Sequence, residues 1–275
     1  MNEQEYLSQY DSNKYVKPSV TVDINIFSIF EETCTNYRKL PEKKLKILLI
    51  RRGSHPYQGM HALPGGFVKP NETLEAAAFR ELQEETGADC EYLQQLRTFS
   101  DPNRDPRYWV ITCAYTALVN GTSLKISAGS DAVDVKWFNI DLSKDNNNQW
   151  ILSLNNNDSL LKAIMVEKSR GKVDDLPNLE LVETNNLAFD HALIIGCALL
   201  KLRENIKYEP IIFNMLPDKF TLTEAQQVYE AILGEKVYAQ VFRRKIAGFV
   251  EETLEYTETG GHRPAKLYRK KQTLN

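Results

Sequence analysis

Gly65-Gly66-Phe67-Val68-Lys69-Pro70-Asn71-Glu72 is followed, seven residues on, by Arg80-Glu81-Leu82-Gln83-Glu84-Glu85-Thr86-Gly87. The reading of the fold turns on this stretch. Thr73–Thr86 is an uninterrupted helical sequence, and Gly87 suits a helix C-terminal cap. With about 100° per residue and Leu74 at zero, Ala78 falls near 40°, Leu82 near 80° and Ala77 near 300°. Those residues define an inward apolar face. Glu81 falls near 340°, Glu84 near 280° and Glu85 near 20°, inside the same arc. An ordinary amphipathic helix would turn such carboxylates toward water. Spaced i, i+3 and i+4 they repel one another, and they would take up protons unless a cation neutralised them. A solvated acidic helix end would explain an isolated Glu-Glu-x-Gly. The full spacing, with glycine before and after, argues instead for hard oxygen ligands to Mg²⁺ or Mn²⁺.

Strand-like segments flank this helix. Val20–Phe30, Lys46–Ile50, Arg107–Val119 and Val133–Ile140 are rich in β-branched and apolar residues. Asp145–Asp158 is asparagine-rich and reads as an exposed loop or the rim of the first domain, Leu160–Arg170 as a helix, and 171–186 as an acidic linker.

The last third changes character. Leu187–Glu204 carries apolar residues at helical spacing. Thr221-Leu222-Thr223-Glu224 is a capping-box pattern that opens a helix ending at Gly234. A second helix is expected over Val237–Phe249, then two short strands, Thr253–Thr257 and Ala265–Tyr268, around Gly260-Gly261. Helix, turn, helix and hairpin in this order predict a winged helix. Basic residues gather where such a unit meets DNA: Gln240, Arg243, Arg244 and Lys245 on the second helix, Arg263 and Lys266 on the hairpin. Lysine and arginine supply affinity for phosphates, while helix side chains read base edges.

The whole chain sets bounds. Its 275 residues, 42% hydrophobic and 26% charged with net charge −3, suit a soluble globular protein of one large domain or two ordinary ones. They argue against a globally basic nucleic-acid binder, but leave room for a local basic face. The four cysteines form no CxxC pair, which argues against a zinc site and for a reducing compartment. The N-terminus lacks an apolar signal core, and no apolar run approaches the roughly 20 residues that span a bilayer. A cytoplasmic location with no membrane partner is expected.

The glycine–glutamate stretch resembles the Nudix box, G-x5-E-x7-R-E-U-x-E-E-x-G-U, at every fixed position, with only the last bulky place filled by a small residue, Ala88. The resemblance implies a mixed α/β/α sandwich and attack of a metal-activated water on a diphosphate bridge. By motif position Glu81, Glu84 and Glu85 are implied metal ligands, with the Gly65 carbonyl a further one, and Arg80 orients the glutamates. Asp131 is a candidate base. Asp101-Pro-Asn-Arg104-Asp105-Pro106-Arg107 is similar to a segment of ADP-ribose-type Nudix proteins, which points to Arg51, Arg52, Gly65, Gly66, Phe67 and Arg107 as substrate contacts. Tyr57 and Phe67 offer rings to a base, or simply belong to the core.

From about Val20 to Lys270 the chain is similar to the Nudix-related transcriptional regulators, the NrtR family. Phe213-Asn-Met-Leu-Pro217, Tyr229-Glu-Ala-Ile-Leu-Gly234, Phe242-Arg243-Arg244-Lys245 and Arg263-Pro-Ala-Lys-Leu-Tyr268 carry the likeness, and Leu187-Ala-Phe-Asp190-His191 resembles that family's junction between domains. His191 is read as a packing residue. The resemblance implies a dimer that couples ADP-ribose binding to release of operator DNA, commonly at NAD-metabolism genes. Many such regulators have lost acidic residues from the box, whereas this chain keeps all of them, so hydrolysis is also expected. The competing expectation is a plain Nudix hydrolase, an ADP-ribose diphosphatase, whose C-terminal domain is only structural. The expected fold is thus a Nudix α/β/α sandwich over 1–170, a linker over 171–186, and a linking helix with an α+β winged helix-turn-helix domain over 187–275.

Overall fold

The computed structural model describes residues 2–32, 41–87, 90, 92–120, 132–173, 176–257 and 264–271. A short helix, α1 (Glu3–Gln9), precedes β1 (Ser19–Glu32), β2 (Glu42–Arg52), β3 (His61–Ala62), β4 (Gly65–Phe67), α2 (Leu74–Thr86), β5 (Tyr92–Phe99) and β6 (Val110–Leu118). Then come β7 (Ala132–Lys144), β8 (Trp150–Asn155), β9 (Leu160–Val173) and β10 (Leu176–Thr184). The remainder is α3 (His191–Asn205), a 3-10 turn (Ile211–Met215), α4 (Leu222–Leu233), α5 (Ala239–Ile246), β11 (Val250–Tyr256) and β12 (Lys266–Lys270).

One mixed sheet runs β10-β9-β8-β7-β2-β1-β6-β5, with β3 added to β2 and β4 to β1. β1 lies parallel to β6 and antiparallel to β2. Eight successive residues of β1, Thr21–Ser28, are buried, which is why its sequence reads as a nearly continuous apolar run: both faces of the strand are covered. On one face Val22, Ile24 and Ile26 pack with Ala77, Ala78 and Leu82 of α2. On the other face Phe27, Leu45, Ile47 and Leu49 share a cluster with Ile194, Ile195 and Ala198 of α3 and Val228 and Ile232 of α4. A Cβ on Gly196 of α3 would stand 2.7 Å from the Met165 thioether methyl of β9, so glycine permits the close approach of helix to sheet. The third layer of the sandwich is therefore the helix that leads into the C-terminal domain. The same apolar cluster continues into Phe242, Ile246 and Val250, so the two modules share one core.

Local signals account for the helix ends. Thr73 accepts a hydrogen bond from the Ala76 N–H, and Gly87 closes α2 in the left-handed region at φ 61°. Thr221 and Glu224 form the expected reciprocal capping box, and Gly234 ends α4 at φ 82°. The winged helix follows as α4, α5 and the β11–β12 hairpin, with Phe220 pairing to Tyr268 at the hairpin's edge. No helix of the described residues is long and apolar enough to cross a membrane.

Three expectations are corrected. Leu160–Arg170 is not a helix but most of β9, where Leu161, Ala163 and Met165 are buried on alternate positions. The asparagine-rich segment 145–158 is not all loop, for it contains β8, whose Leu152 and Leu154 are fully buried. The span 171–186 is not a linker: β10 pairs with β9 along most of it. A boundary at residue 170 cuts through β9, and the sheet continues to Thr184.

Candidate ligand and DNA-binding sites

The glycine loop is shaped by its neighbours. β4 pairs with β1 so that Val22 faces Gly66 and Asp23 faces Gly65. A Cβ on Gly65 would meet the Val22 carbonyl oxygen at 2.1 Å, and one on Gly66 would meet Glu81 Oε1 at 2.2 Å. Gly65 demands glycine, because backbone occupies the space a side chain needs, whereas at Gly66 the end of the Glu81 side chain would have to move aside. Glu81 is thereby pressed against the loop.

Arg80 grips this corner. Its Nη2 donates to Glu72 Oε1 at 2.8 Å, its Nε to Glu72 Oε2 at 3.1 Å, and its Nη1 to Glu81 Oε1 at 2.6 Å. That two-armed hydrogen bond holds the Glu72 carboxyl down at about 2, well below the usual carboxylate range. Glu85 is buried, Glu81 is largely covered, and Glu84 is exposed with its carboxylate 3.6 Å from Arg80. The inward arc thus holds for Glu81 and Glu85, whereas Glu84 sits at its rim in solvent. Carboxylates within one helical turn have the donor chemistry a hard divalent cation needs. They are not gathered around one point, however: among the described residues no three acidic, histidine or cysteine side chains are placed to hold a metal. Asp131 and Arg263 lie outside the described residues.

Beside the loop opens a cavity of about 140 Å³ lined by Arg52, Gly65, Gly66, Phe67, Arg107 and Phe189, among others. Arg107 is bound to Asp105 through Nη2 at 2.7 Å and Nε at 3.0 Å, and its guanidinium lies 5.7 Å from the Phe67 ring centre. Of the expected substrate contacts, Arg51 alone is elsewhere: it lines a separate depression with His61, Asp134 and Lys136. Strand alternation explains this, since neighbours on β2 point to opposite faces.

Sequence reasoning missed the buried charge cluster behind the cavity. Arg104 binds Asp190 with Nη2 at 2.8 Å and Nε at 3.0 Å, and reaches Asp23 at 3.3 Å. His191 accepts the Leu63 N–H on Nδ1 at 2.8 Å. Its proton is therefore on Nε2, 3.6 Å from Asp23 Oδ1. Arg104 and Asp190 were visible in the segments Asp101–Arg107 and Leu187–His191, but nothing local says that two segments 86 residues apart meet.

Burial pushes the His191 imidazole below its ordinary value of 6.5. The unfolded chain then binds a proton that the folded one resists, so stability is complete above about pH 6.5 and falls as the pH drops below it. Urea unfolding from pH 7.5 to 5 is expected to show this decline, and His191→Gln a shallower one. Equal slopes for both proteins would contradict the assignment.

On the winged helix, Phe242 and Ile246 are buried and turn Gln240, Arg243 and Arg244 into solvent. Lys245 instead donates to the Lys207 carbonyl at 2.5 Å and lies over the Tyr229 ring. On the hairpin, Lys266 is paired with Glu252, and Arg269 with Glu251. The structure thus gathers a basic face on α5, while glutamates of β11 occupy basic residues of the wing.

Residues 40–153 match the family model described as the NUDIX domain, and residues 212–270 match the NrtR DNA-binding winged helix domain. The chain is 32% identical to the ADPR responsive transcriptional repressor NtrR of Acinetobacter baylyi, over 98% of this chain and 88% of that protein. Among solved structures, a MutT/nudix family protein from Enterococcus faecalis superposes with a TM-score of 0.70 at 32% identity, covering 98% of this chain and 94% of that one. Shewanella oneidensis NrtR, crystallised with a 27mer DNA, superposes at 0.62 with 29% identity, covering 92% and 93%. A Nudix sandwich and an NrtR winged helix, built on one core and matched by a relative over nearly the full length, place this chain in the NrtR family of Nudix regulators.

Proposed function

We propose that this protein is a cytoplasmic, dimeric DNA-binding regulator whose Nudix domain binds ADP-ribose or a closely related nucleoside diphosphate sugar. The observation that carries this reading is the exposed Arg243–Arg244 face of α5, on a winged helix that shares a core with the diphosphate cavity. The responsiveness of the Acinetobacter repressor to ADPR supports the choice of ligand, and control of genes of NAD metabolism follows from it. Arg52 and Arg107 would take the diphosphate, since guanidinium groups recognise phosphate through charge-assisted pairs. A gel shift on the DNA upstream of its own gene tests the reading. Salt-sensitive binding that ADP-ribose reverses is expected; no binding to that fragment, or binding indifferent to ADP-ribose, would count against it.

A second activity is favoured by the intact acidic set of α2. Glu81, Glu84 and Glu85, which are not gathered around one point, would have to draw together to hold Mg²⁺ or Mn²⁺, with the Gly65 carbonyl a further ligand. Such a cation would polarise the phosphate oxygens of the diphosphate. Arg80 would then keep the acidic helix neutralised in the cation's absence, and Asp131 is the candidate base. With ADP-ribose and Mg²⁺ the expected products are AMP and ribose 5-phosphate. Glu84→Gln is expected to slow their release by roughly a hundredfold, as loss of several kcal/mol of charge stabilisation requires. No product from wild-type protein over a panel of nucleotide diphosphates would leave only the sensory role.

A further inference from the structure

Phe189 and His191, in the segment that joins β10 to α3, line the cavity. Asn186 and Phe189 adopt left-handed backbone there, with φ of 53° and 52°. For a residue with a side chain this conformation is disfavoured and persists only where surroundings enforce it. Backbone bonds to β3 do so: the His61 N–H donates to the Asn186 carbonyl at 2.9 Å, and the Ala188 N–H to the His61 carbonyl at 2.8 Å.

Three consecutive residues then touch the cavity or its buried charges. The Phe189 ring has the Arg52 guanidinium 5.0 Å from its centre and that of Arg107 at 5.7 Å. The Tyr57 ring packs edge-to-face with it, the ring centres 4.7 Å apart. Asp190 takes both bonds from Arg104, and His191 takes the Leu63 N–H. His191 is also the first residue of α3, which runs unbroken for 15 residues. Near its far end Arg203 donates to the Ile232 carbonyl of α4 at 3.0 Å and to the Leu142 carbonyl of β7 at 2.7 Å. A rigid rod thus has one end in the ligand cavity and the other fastened to the DNA-binding domain.

We propose that Phe189 is the positioning residue that converts ligand occupancy into movement of α3. Its ring and the ligand's diphosphate draw on the same two guanidinium groups, Arg52 and Arg107. A diphosphate outcompetes a ring face for a cation, because two full charges attract more strongly than a quadrupole. Deprived of both cations, the Phe189 ring loses its two charged partners, and its left-handed backbone is then held only through the flanking bonds of Asn186 and Ala188 to β3. The junction then relaxes, and Asp190 and His191 carry α3 with them. A ligand shifts an equilibrium only by binding its two arrangements unequally, and competition for these arginines supplies the inequality.

The inference rests on the regulator reading above, and its test separates the two. For full-length wild type, Phe189→Ala, Phe189→Tyr and Asp190→Asn, DNA affinity is measured by anisotropy with and without saturating ADP-ribose, and ADP-ribose affinity by calorimetry. The readout is each protein's own ratio of the two DNA affinities. A wild-type ratio within the usual allosteric range of about 5- to 150-fold is expected to fall below about twofold in Phe189→Ala. In that variant ADP-ribose should still bind, and its own affinity, measured separately, shows how far the ring also contacts the ligand. Phe189→Tyr keeps the ring and should keep the ratio. Asp190→Asn, which weakens the latch beyond the ring, should lower the ratio without weakening ADP-ribose. A wild-type ratio of one overturns the regulator reading, and this inference with it. A responsive wild type and an equally responsive Phe189→Ala overturn the inference alone. So does a Phe189→Ala that binds ADP-ribose about tenfold more weakly with its ratio intact, since the ring would then be a ligand contact only.

Discussion

Replacing Arg243 and Arg244 together by alanine is expected to lower operator affinity by about a hundredfold at moderate salt and to flatten its salt dependence. The packing of α5 makes both side chains available. Phe242 is 1% exposed and Ile246 4%, so Arg243 and Arg244 between them project away from the core. Each phosphate contact releases condensed counterions and contributes a slope of roughly −0.9 to log K against log salt. Loss of two contacts should therefore change the slope by about 2. Lys266→Ala should do far less, because Glu252 already holds the ammonium and binding must first break that pair. Fluorescence anisotropy over a salt series distinguishes the variants. An unchanged slope in the double variant would remove α5 from the phosphate contacts, and a larger loss from Lys266→Ala would move the DNA face to the wing.

The contrast between α5 and the wing shows where sequence stops being legible. Charge runs locate basic residues but not their partners. The glutamates that occupy Lys266 and Arg269 lie 14 and 18 residues away, across a hairpin whose register the sequence does not display. The glycine–glutamate helix was legible for the opposite reason: Thr73, Gly87 and the apolar spacing each act on backbone or side chains only a few residues away. Its faces followed from geometry, apart from Glu84, which lies at the edge of the arc. β9 was misread because Leu, Lys, Ala, Met and Glu favour helices intrinsically, while its buried positions alternate with period two. Tertiary burial against α3 overrode propensity. The strand β10 hid in an acidic stretch because a sheet-edge strand needs few apolar residues, here Leu176 and Leu179. The Arg104 cluster was least legible, since four segments contribute to it and none carries a local pattern.

That cluster also sets the largest expected stability effect. Arg104 has 4% of its side chain exposed and faces two carboxylates, Asp23 and Asp190, at 11% and 16%. Arg104→Met fills much of the same space without the charge. It leaves two largely buried carboxylates facing each other beside a neutral imidazole, and removing one partner of such an arrangement costs about 3–5 kcal/mol. For a chain of this size that is a fall in Tm of roughly 10 °C. Arg104→Lys restores charge but not the fork that binds Asp190 through two nitrogens, so it should fall between the two. Removing a facing carboxylate as well, in Arg104→Met with Asp190→Leu, should recover part of the loss, because desolvation rather than attraction dominates a buried pair. The cluster joins β1 of the sheet to the start of α3, so the loss should appear in a single transition covering both domains. Calorimetry on the three variants tests the account. An Arg104→Met protein as stable as wild type would show that the carboxylates are solvated in the native state and that the cluster does not fasten the junction.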